Sequence, residues 1–369
     1  MRGEINRQET MLSLLTPEQR VPSDHPLRKI KALADSQLRR LSPVFEEMYS
    51  HTGRPSIPPE VVLKSLLLMA LYSVRSERQF CEQLDYNLLY RWFLDMNLVE
   101  ASFDATVFSK NRERLLEHEV GCLFFDGIVK VAQGEGLLSD DHFTVDSTLI
   151  EAWASLKSFR RKDLADGDRS DDDKGNATVN FHGEKRSNQT HQSTTDPESR
   201  LYRKGSGKEA KLYYGAHALM ENRHGLLIDI RVTPADTSSQ WRAAEEMIKR
   251  QARKRRKPRT LGGDKAYDHR GFIRMLKKRG IAEHIACNDK RPGGSAVDQR
   301  LIKQEGYALS QRVRKRIEEI FGWMKTIGGF RKTRYRGRER TQLAAEIVGA
   351  AYNLLRIAKL KPDWRLASR

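Results

Sequence analysis

The sequence predicts an α/β fold, a mixed sheet flanked by helices, that follows an all-helical N-terminal segment. Two observations support this. Apolar residues recur at helical spacing until about residue 119, and near residue 140 the pattern changes to the β-forming residues of a strand. Strand and helix patterns then succeed one another to residue 360, an order typical of a sheet covered by helices.

The first predicted domain, residues 1–139, is helical. Its strongest helix begins at Pro58-Pro59-Glu60, because proline suits a first helical turn. Apolar residues between Val62 and Leu71 then recur at spacings of three and four. Asp104 is predicted to cap a later helix of the same domain.

The second predicted domain covers residues 140–360. Its strands are expected at 142–150, 212–220, 226–232, 260–264 and 281–286, and its helices at 241–251, near 272–276, at 312–327 and at 341–360. Residues 157–210 are polar and rich in Asp, which predicts a long, mobile insert. Residues 361–369 are interpreted as a tail.

The charge balance indicates a nucleic-acid partner. In 369 residues, 67 Lys and Arg face 49 Asp and Glu, which leaves a net charge of +18. Such a surplus repels itself in a compact chain unless a polyanion is near. Because the charge is spread through segments that also carry apolar residues, it indicates a folded binding protein and not a basic tail.

Cysteine and hydropathy patterns predict a cytoplasmic protein that does not enter a membrane. Cys81, Cys122 and Cys287 lack the spacing of a zinc site or a disulfide framework. The longest apolar stretch, 61–72, contains Lys64 and is shorter than the roughly 20 residues that span a bilayer. The N-terminal residues lack the apolar core of a signal peptide.

Two aspartates occur at strand positions. Asp146 lies inside the first predicted strand, where a buried carboxylate is costly unless a cation or hydrogen-bond donors accompany it. Asp264 ends a later strand, and Gly262-Gly263 before it leave room for a backbone or ligand to approach. Such a pair can chelate one ion between two strands. The alternative is that each is a structural Asp held by hydrogen bonds.

A third acidic residue lies in the predicted helix 312–327. Spacings of four and seven put Arg314, Glu318 and Lys325 on one face, whereas Glu319 points about 100° away. The alternative is a solvated face with an Arg–Glu pair. A basic loop suited to following phosphates comes next and contains Arg331, Lys332, Arg334 and Arg336.

Together these residues meet the needs of phosphodiester chemistry. Two hard divalent ions about 4 Å apart require oxygen ligands, which Asp146, Asp264 and Glu318 supply. Arg314 and Lys325 are expected to hold phosphates beside the scissile bond. In the helical domain the candidate DNA contacts are Arg75, Arg78, Lys110 and Arg112. A further candidate is the basic cluster at 253–257, although basic residues on helices are usually only a solvated face.

These motifs resemble bacterial DDE transposases of the insertion-sequence five type. The resemblance rests on Thr144-Val-Asp-Ser-Thr, on Gly263-Asp-Lys-Ala-Tyr-Asp268, and on the segment from Arg314 to Lys325. It extends to the helical domain through His51-Thr-Gly-Arg-Pro and Phe103-Asp-Ala-Thr-Val-Phe. One position departs from the family signature, because Gln311 stands where a Tyr is expected.

The resemblance implies a ribonuclease-H-like catalytic domain, with Asp146, Asp264 and Glu318 as catalytic residues and metal ligands. It also implies two Mg²⁺ or Mn²⁺ ions per site, terminal inverted repeats as substrate, and a homo-oligomer, a dimer on double-stranded DNA. The helical domain is expected to bind DNA ends or to serve assembly. Two alternatives remain open, a transposase-derived DNA-binding regulator and a metal-dependent nuclease that does not join ends.

Overall fold

The computed structural model describes residues 16–361, except 51, 53, 54, 164–179, 182, 183, 206, 237 and 291. The predicted tail therefore lies outside the described residues from 362 onward, as does much of the predicted insert. In the described part of the chain, no helix is both long and apolar enough to cross a membrane.

The chain begins with helices packed through amphipathic faces. In α2, for example, Leu27, Ile30 and Leu38 are buried along one side. The N-cap residue of α7 is Ala105 and not Asp104 as predicted, but Oδ1 of Asp104 accepts a hydrogen bond of 2.8 Å from the amide of Thr106, the first residue of this helix. The helices are α1 Pro17–Arg20, α2 Pro26–Arg40, α3 Ser42–Glu47, α4 Pro59–Leu71, α5 Glu77–Tyr86, α6 Leu88–Leu94, α7 Thr106–Glu117 and α8 Val120–Gly134.

A mixed six-stranded sheet follows, with two small hairpin-like pairs beside it. The described strands are β1 His142–Glu151, β2 Phe159–Arg161, β3 Asn180–Phe181, β4 Glu184–Lys185, β5 His191–Ser193, β6 Arg200–Arg203, β7 Ala210–Glu221, β8 Leu226–Pro234, β9 Thr260–Gly263 and β10 Ala282–Ile285. The large sheet has the order β10-β9-β1-β7, after which β6 and β8 pair with successive parts of β7. β9 and β10 run parallel to β1, and β7 runs antiparallel to it.

The remaining helices flank this sheet. They are α9 Ser239–Arg253, α10 Arg270–Lys278, α11 Gln299–Ile302, α12 Glu305–Val313, α13 Ile317–Thr326 and α14 Arg338–Leu360, with short 3-10 helices at Leu156–Ser158, Lys265–Tyr267 and Arg314–Arg316. The predicted α/β class with a mixed sheet between helices is confirmed, and its strand order is consistent with the ribonuclease-H-like architecture that the resemblance implies.

Helix α14 joins the two parts of the chain. It packs against β8 and also against α2, α4 and α8, so the helical segment and the sheet share one hydrophobic core. The Asn353 amide makes two hydrogen bonds, of 2.9 and 2.7 Å, to the backbone of Leu227, and Gln342 binds the backbone of Ile230 and Val232. These bonds cover the backbone groups of an edge strand that would otherwise be open to pairing.

The described parts of the 157–210 insert contain local structure that its polar composition does not predict. β2 pairs with β5, and β6 extends the main sheet. Asp196 is buried there and accepts a hydrogen bond of 2.6 Å from the hydroxyl of Tyr214 in β7. Strand pairing and a few buried polar contacts therefore hold the described parts of this insert against the sheet, although the insert has few apolar residues.

Candidate active site

The sheet brings the two candidate aspartates to the same level. β1 and β9 pair in parallel from His142 opposite Thr260 to Thr144 opposite Gly262. Continuing that register by two residues sets Asp146 beside Asp264 on neighbouring strands, which lie about 4.8 Å apart in a sheet. Asp264 follows the last residue of β9, and its Oδ1 accepts a hydrogen bond of 2.9 Å from the amide of Ala266. Sequence-distant carboxylates thus become neighbours through strand pairing.

The two glycines before Asp264 make room for side chains of the protein itself. A β-carbon on Gly262 would lie 3.5 Å from Cβ of Arg314, so this glycine lets the start of the third candidate segment approach the sheet. A β-carbon on Gly263 would lie 2.7 Å from Cδ1 of Ile285 and 3.5 Å from Cβ of Tyr267. The space that the sequence suggests for a backbone or ligand is therefore filled by packing.

Replacing Gly263 by Ala is expected to lower the free energy of unfolding by about 1–3 kcal/mol, the usual cost of overpacking a core. Gly262→Ala is the matched control and should cost less, because its closest contact would be 3.2 Å, to Oγ1 of Thr144. Urea denaturation of both variants checks this. Equal stability of the two would contradict the assigned packing.

The predicted helix 312–327 is interrupted in the structure. α12 ends at Val313, a 3-10 helix covers Arg314–Arg316, and α13 begins at Ile317. Ile317, Ile320 and Met324 are buried as expected and bring α13 onto β1. Glu318 is exposed in the first turn of α13. The 3-10 helix is wound more tightly than an α-helix, so Arg314 does not lie on one continuous α-helical face with Glu318 as the sequence predicts. Glu318 and Lys325 are both in α13 and still share one side of it.

Electrostatics separate the two adjacent glutamates. Burial raises the pKa of Asp146 to about 6; the Ser147 amide opposes this, the charges of Asp264 and Glu318 raise it further, and Arg314 lowers it. Glu319 instead contributes to a raised pKa of Tyr352, for which burial is again the main cause. The charge of Glu318 therefore acts on Asp146, whereas Glu319 lies on the side of the helix near Tyr352.

The three carboxylates lack neutralising partners. None of them forms an ion pair with a residue that the structure describes. Nor do any three His, Cys, Asp or Glu side chains among the described residues lie close enough together to hold a single ion. Carboxylate oxygens are the ligands that hard divalent cations such as Mg²⁺ and Mn²⁺ prefer. The donor chemistry fits such ions.

Arg314 is held by the residue that departs from the family signature. Its Nε donates a hydrogen bond of 2.9 Å to Oε1 of Gln311, and Nε2 of Gln311 donates one of 2.5 Å to the carbonyl of His284. Gln311 thus links β10 to the guanidinium beside the carboxylates. The sequence shows this position only as a departure, because the bridge depends on a strand that precedes it by 27 residues.

Lys325 belongs to a cluster of cations. Its Nζ donates a hydrogen bond of 2.5 Å to Oγ1 of Thr148, two residues beyond Asp146 on β1. Burial lowers the pKa of Lys325 to about 8, and the charges of Lys204 and Arg331 lower it further. None of these three cations forms an ion pair with a described residue. Lys204 is absent from the sequence candidates, because it lies in the polar insert without a helical or strand pattern.

DNA affinity is expected to fall as pH rises through about 8. Binding a phosphate favours the charged form of Lys325, so the affinity is lost where this group is deprotonated in the free protein. Fluorescence anisotropy with duplex DNA at constant ionic strength, from about pH 7 to about pH 9, measures the effect. Lys325→Gln should bind more weakly at the lower pH and remove most of the pH dependence. An unchanged pH profile in this variant would contradict the role of Lys325.

Some of the other candidate DNA contacts already bind groups within the protein, and others do not. Lys332 forms an ion pair of 3.2 Å with Glu151. Arg334 donates to the carbonyl of Arg75, and Arg112 pairs with Glu77 and stacks over Tyr335. These contacts fasten the basic loop to the helical segment. The candidates that are exposed and whose side chains form no hydrogen bond or ion pair with a described residue are Arg331, Arg336, Arg75, Arg78 and Lys110.

The basic cluster at 253–257 is partly used inside the fold. Arg256 is buried and donates a hydrogen bond of 2.6 Å to Asp126 of α8, and Lys254 forms an ion pair of 3.0 Å with the same carboxylate. Lys257 donates to the carbonyl of Arg279. This cluster therefore fastens the end of α9 and is a weaker DNA candidate than its charge suggests.

From the sequence, Asp268 could cap the helix that follows it and Trp323 could stack on an unpaired DNA base, and the contacts of both residues indicate other roles. Asp268 does not cap the helix that follows it, because its carboxylate accepts hydrogen bonds of 2.9 Å from the amides of Asn288 and Ala296 and so holds a loop. Trp323 packs edge-on against Tyr352, with ring centroids 5.6 Å apart, and is partly buried against the core. Packing is the better account of this tryptophan than stacking on a DNA base.

Two family models match the chain. The model described as "Transposase DDE domain" matches residues 139–354, and the one described as "Transposase domain (DUF772)" matches residues 15–114. No curated protein matches the sequence.

Similarity to solved structures is low. A piggyBac transposase synaptic complex with hairpin DNA is 12% identical, with a TM-score of 0.42, over 93% of this chain and 77% of that one. The Mos1 strand transfer complex is 11% identical, with a TM-score of 0.20, over 84% of this chain and 81% of that one.

Proposed function

The chain belongs to the transposase DDE domain family, whose model covers more than half of it. On that premise we propose that it is a transposase of the insertion-sequence five type, which moves its own insertion sequence. The enzyme class is a DDE transposase. The proposed reaction nicks DNA at the terminal inverted repeats and joins the freed 3′-hydroxyl ends to target DNA. The transposase domain matched over 15–114 supports the same assignment.

The observation that carries the proposal is the set of unpaired carboxylates. Asp146 lies on β1 and Asp264 directly follows the neighbouring strand β9, and the charges of Asp264 and Glu318 both act on Asp146. We assign Asp146, Asp264 and Glu318 as the residues that bind two Mg²⁺ or Mn²⁺ ions. When bound, such ions supply activation of the attacking oxygen and neutralisation of the leaving oxygen.

Basic residues orient the DNA strand at these carboxylates. Arg314, held by Gln311, can contact one phosphate, and Lys325 with Lys204 and Arg331 can contact a neighbouring phosphate. Because Arg314 is held through Gln311 to β10 and Lys325 is held by Thr148 of β1, these two cations are positioned to orient the backbone for in-line attack. The exposed Arg336, Arg75, Arg78 and Lys110 extend the proposed DNA surface.

We assign DNA-end binding or assembly to residues 1–139 and catalysis to 140–360. The proposed partner is double-stranded DNA bound by a dimer, and the proposed location is the cytoplasm, on DNA. The net charge of +18 supports a polyanionic partner.

The experiment that tests the function uses a labelled duplex that carries the terminal inverted repeat flanking the coding sequence, with Mg²⁺. A metal-dependent nick at the repeat boundary followed by joined products is the expected result. Nicking without joining would favour a nuclease, and binding without any chemistry would favour a DNA-binding regulator. Either outcome would overturn the proposed reaction.

A further inference from the structure

The turn that joins β7 to β8, residues 222–225, is bound by three side chains from distant parts of the chain. Nη1 of Arg316, in the 3-10 helix before α13, donates hydrogen bonds of 2.6 and 3.3 Å to the first two carbonyls of the turn. Nε of Arg356 in α14 donates one of 2.7 Å to the third carbonyl, and the hydroxyl of Tyr352 donates one of 3.0 Å to the fourth. Both arginines are therefore held in place by the turn.

The two guanidinium groups converge over Gly225. This glycine has a φ of +69°, and a β-carbon on it would lie 3.4 Å from Nη2 of Arg356 and 3.6 Å from Nη2 of Arg316. Neither Nη2 atom has a hydrogen-bond partner among the described residues, and neither is closed off from solvent. Each arginine thus binds the turn with one nitrogen and keeps another nitrogen available to a ligand.

The carboxylates around the turn do not neutralise this pair of arginines. Asp141 forms an ion pair of 2.7 Å with Arg223, and buried Glu221 accepts hydrogen bonds from two amides of the turn. Glu319 is exposed and acts on Tyr352, as both arginines do, yet it forms no ion pair with either of them. Two like charges close to one point repel each other, so this arrangement favours a bound anion.

The arginine pair is separate from the candidate active site. Successive residues of a 3-10 helix lie about 120° apart, so Arg316 points in a different direction from Arg314. Glu221, just before the turn, pairs with Phe143 near the start of β1, and Asp146 lies about 10 Å farther along this strand. A duplex whose end lies at the carboxylates carries phosphates over that whole distance, because B-DNA has one negative charge about every 1.7 Å of its axis.

We propose that Arg316 and Arg356 form a phosphate-binding site for the backbone of the DNA duplex that leads away from the scissile bond. The inference rests on the proposed function and deepens it. Paired guanidinium groups bind phosphate oxygens through charge-assisted hydrogen bonds, and exposed Lys359, one turn beyond Arg356, extends the same surface. Phosphate contacts carry no base information, so the role of the site is to fix the position of the DNA end.

The first test replaces the proposed phosphate by a carboxylate of the protein. Gly225→Asp puts that carboxylate beside both guanidinium groups, and Gly225→Asn is its matched control, because Asp and Asn have one shape and both tolerate a positive φ. Fluorescence anisotropy with a labelled repeat-end duplex, without divalent ions, should show roughly tenfold weaker binding for Gly225→Asp than for Gly225→Asn at low salt. Without DNA, Gly225→Asp should resist urea better than Gly225→Asn, because its carboxylate pairs with the arginines.

The second test measures how DNA affinity depends on salt. Arg316→Gln and Arg356→Gln should each reduce the slope of log K against log salt by about one, the change expected for one lost phosphate contact. Arg223→Gln is the control on the same turn, and it should change the slope much less, because Arg223 is already paired with Asp141.

The possible outcomes separate the site from the function. Wild-type binding and joining, with equal DNA affinity of Gly225→Asp and Gly225→Asn, would overturn the phosphate site and leave the transposase function standing. Equal resistance of these two variants to urea would show that the arginines do not converge, and would also overturn the site. If inorganic phosphate protected the wild type from urea while Gly225→Asp kept its DNA affinity, the site would bind a free anion and not DNA. Absence of both end binding and chemistry in the wild type would overturn the proposed function together with the site.

Discussion

Glu318→Gln is expected to abolish strand cleavage and joining while leaving DNA binding intact. The substitution keeps the size and helix position of the side chain and removes only the charge that acts on Asp146. Metal-assisted charge stabilisation contributes several kcal/mol to such transition states, so the rate should fall roughly a thousandfold or more. Product formation on the labelled repeat-end duplex with Mg²⁺ measures the rate, and a gel-shift assay measures binding.

Glu319→Gln provides the matched control for this prediction. It makes the same chemical change one residue along α13, on the side that faces Tyr352. Its cleavage rate should stay within a fewfold of the wild type. If Glu319→Gln were the inactive variant and Glu318→Gln the active one, the assignment of the third carboxylate would be wrong.

Asp146→Asn is expected to inactivate the enzyme and at the same time to stabilise the protein free of divalent ions. The folded state raises the pKa of Asp146 to about 6 from its usual value of 3.8, mainly by burial, so the ionised form opposes folding. The cost is absent below about pH 4, where the group is protonated in both states, and is complete above about pH 6. Removing the charge should therefore add up to about 3 kcal/mol at neutral pH.

Urea unfolding in a chelator, at neutral pH and near pH 4, measures this gain. The gain should be present at neutral pH and largely absent near pH 4. Added Mg²⁺ should stabilise the wild type by mass action and the variant much less. Asp140→Asn is the control, because that side chain is 67% exposed and should change neither quantity. A loss of stability in Asp146→Asn would indicate a structural aspartate.

The sequence alone is enough to predict the fold class and the main strands. The strand pattern around Asp146 is local, as are the patterns at 212–220 and 226–232, and the structure confirms strands over His142–Glu151, Ala210–Glu221 and Leu226–Pro234 with a turn at Gly225 between the last two. Local patterns succeed here because a strand must alternate to bury one face, and a left-handed turn position favours glycine.

The two candidate aspartates stand out in the sequence because charge is unusual at strand positions, and Glu318 is distinguished by the face that it shares with Arg314 and Lys325. The mutual placement of the three carboxylates does not stand out there. That depends on the parallel pairing of β1 with β9 and on the close approach of Arg314 over Gly262. Strand order and register are set by contacts between distant segments, which no local pattern contains.

Only the tertiary structure decided which basic residues are available and which are used inside the fold. Arg256 and Arg112 form ion pairs with largely buried carboxylates. Lys204 has the same charge, but it forms no ion pair with a described residue and lies near Lys325. Residue type and spacing determine which chemical groups this chain carries. Whether a group can bind DNA or a metal ion depends on the fold, because a charge or lone pair that already has a partner within the protein is not available to a ligand.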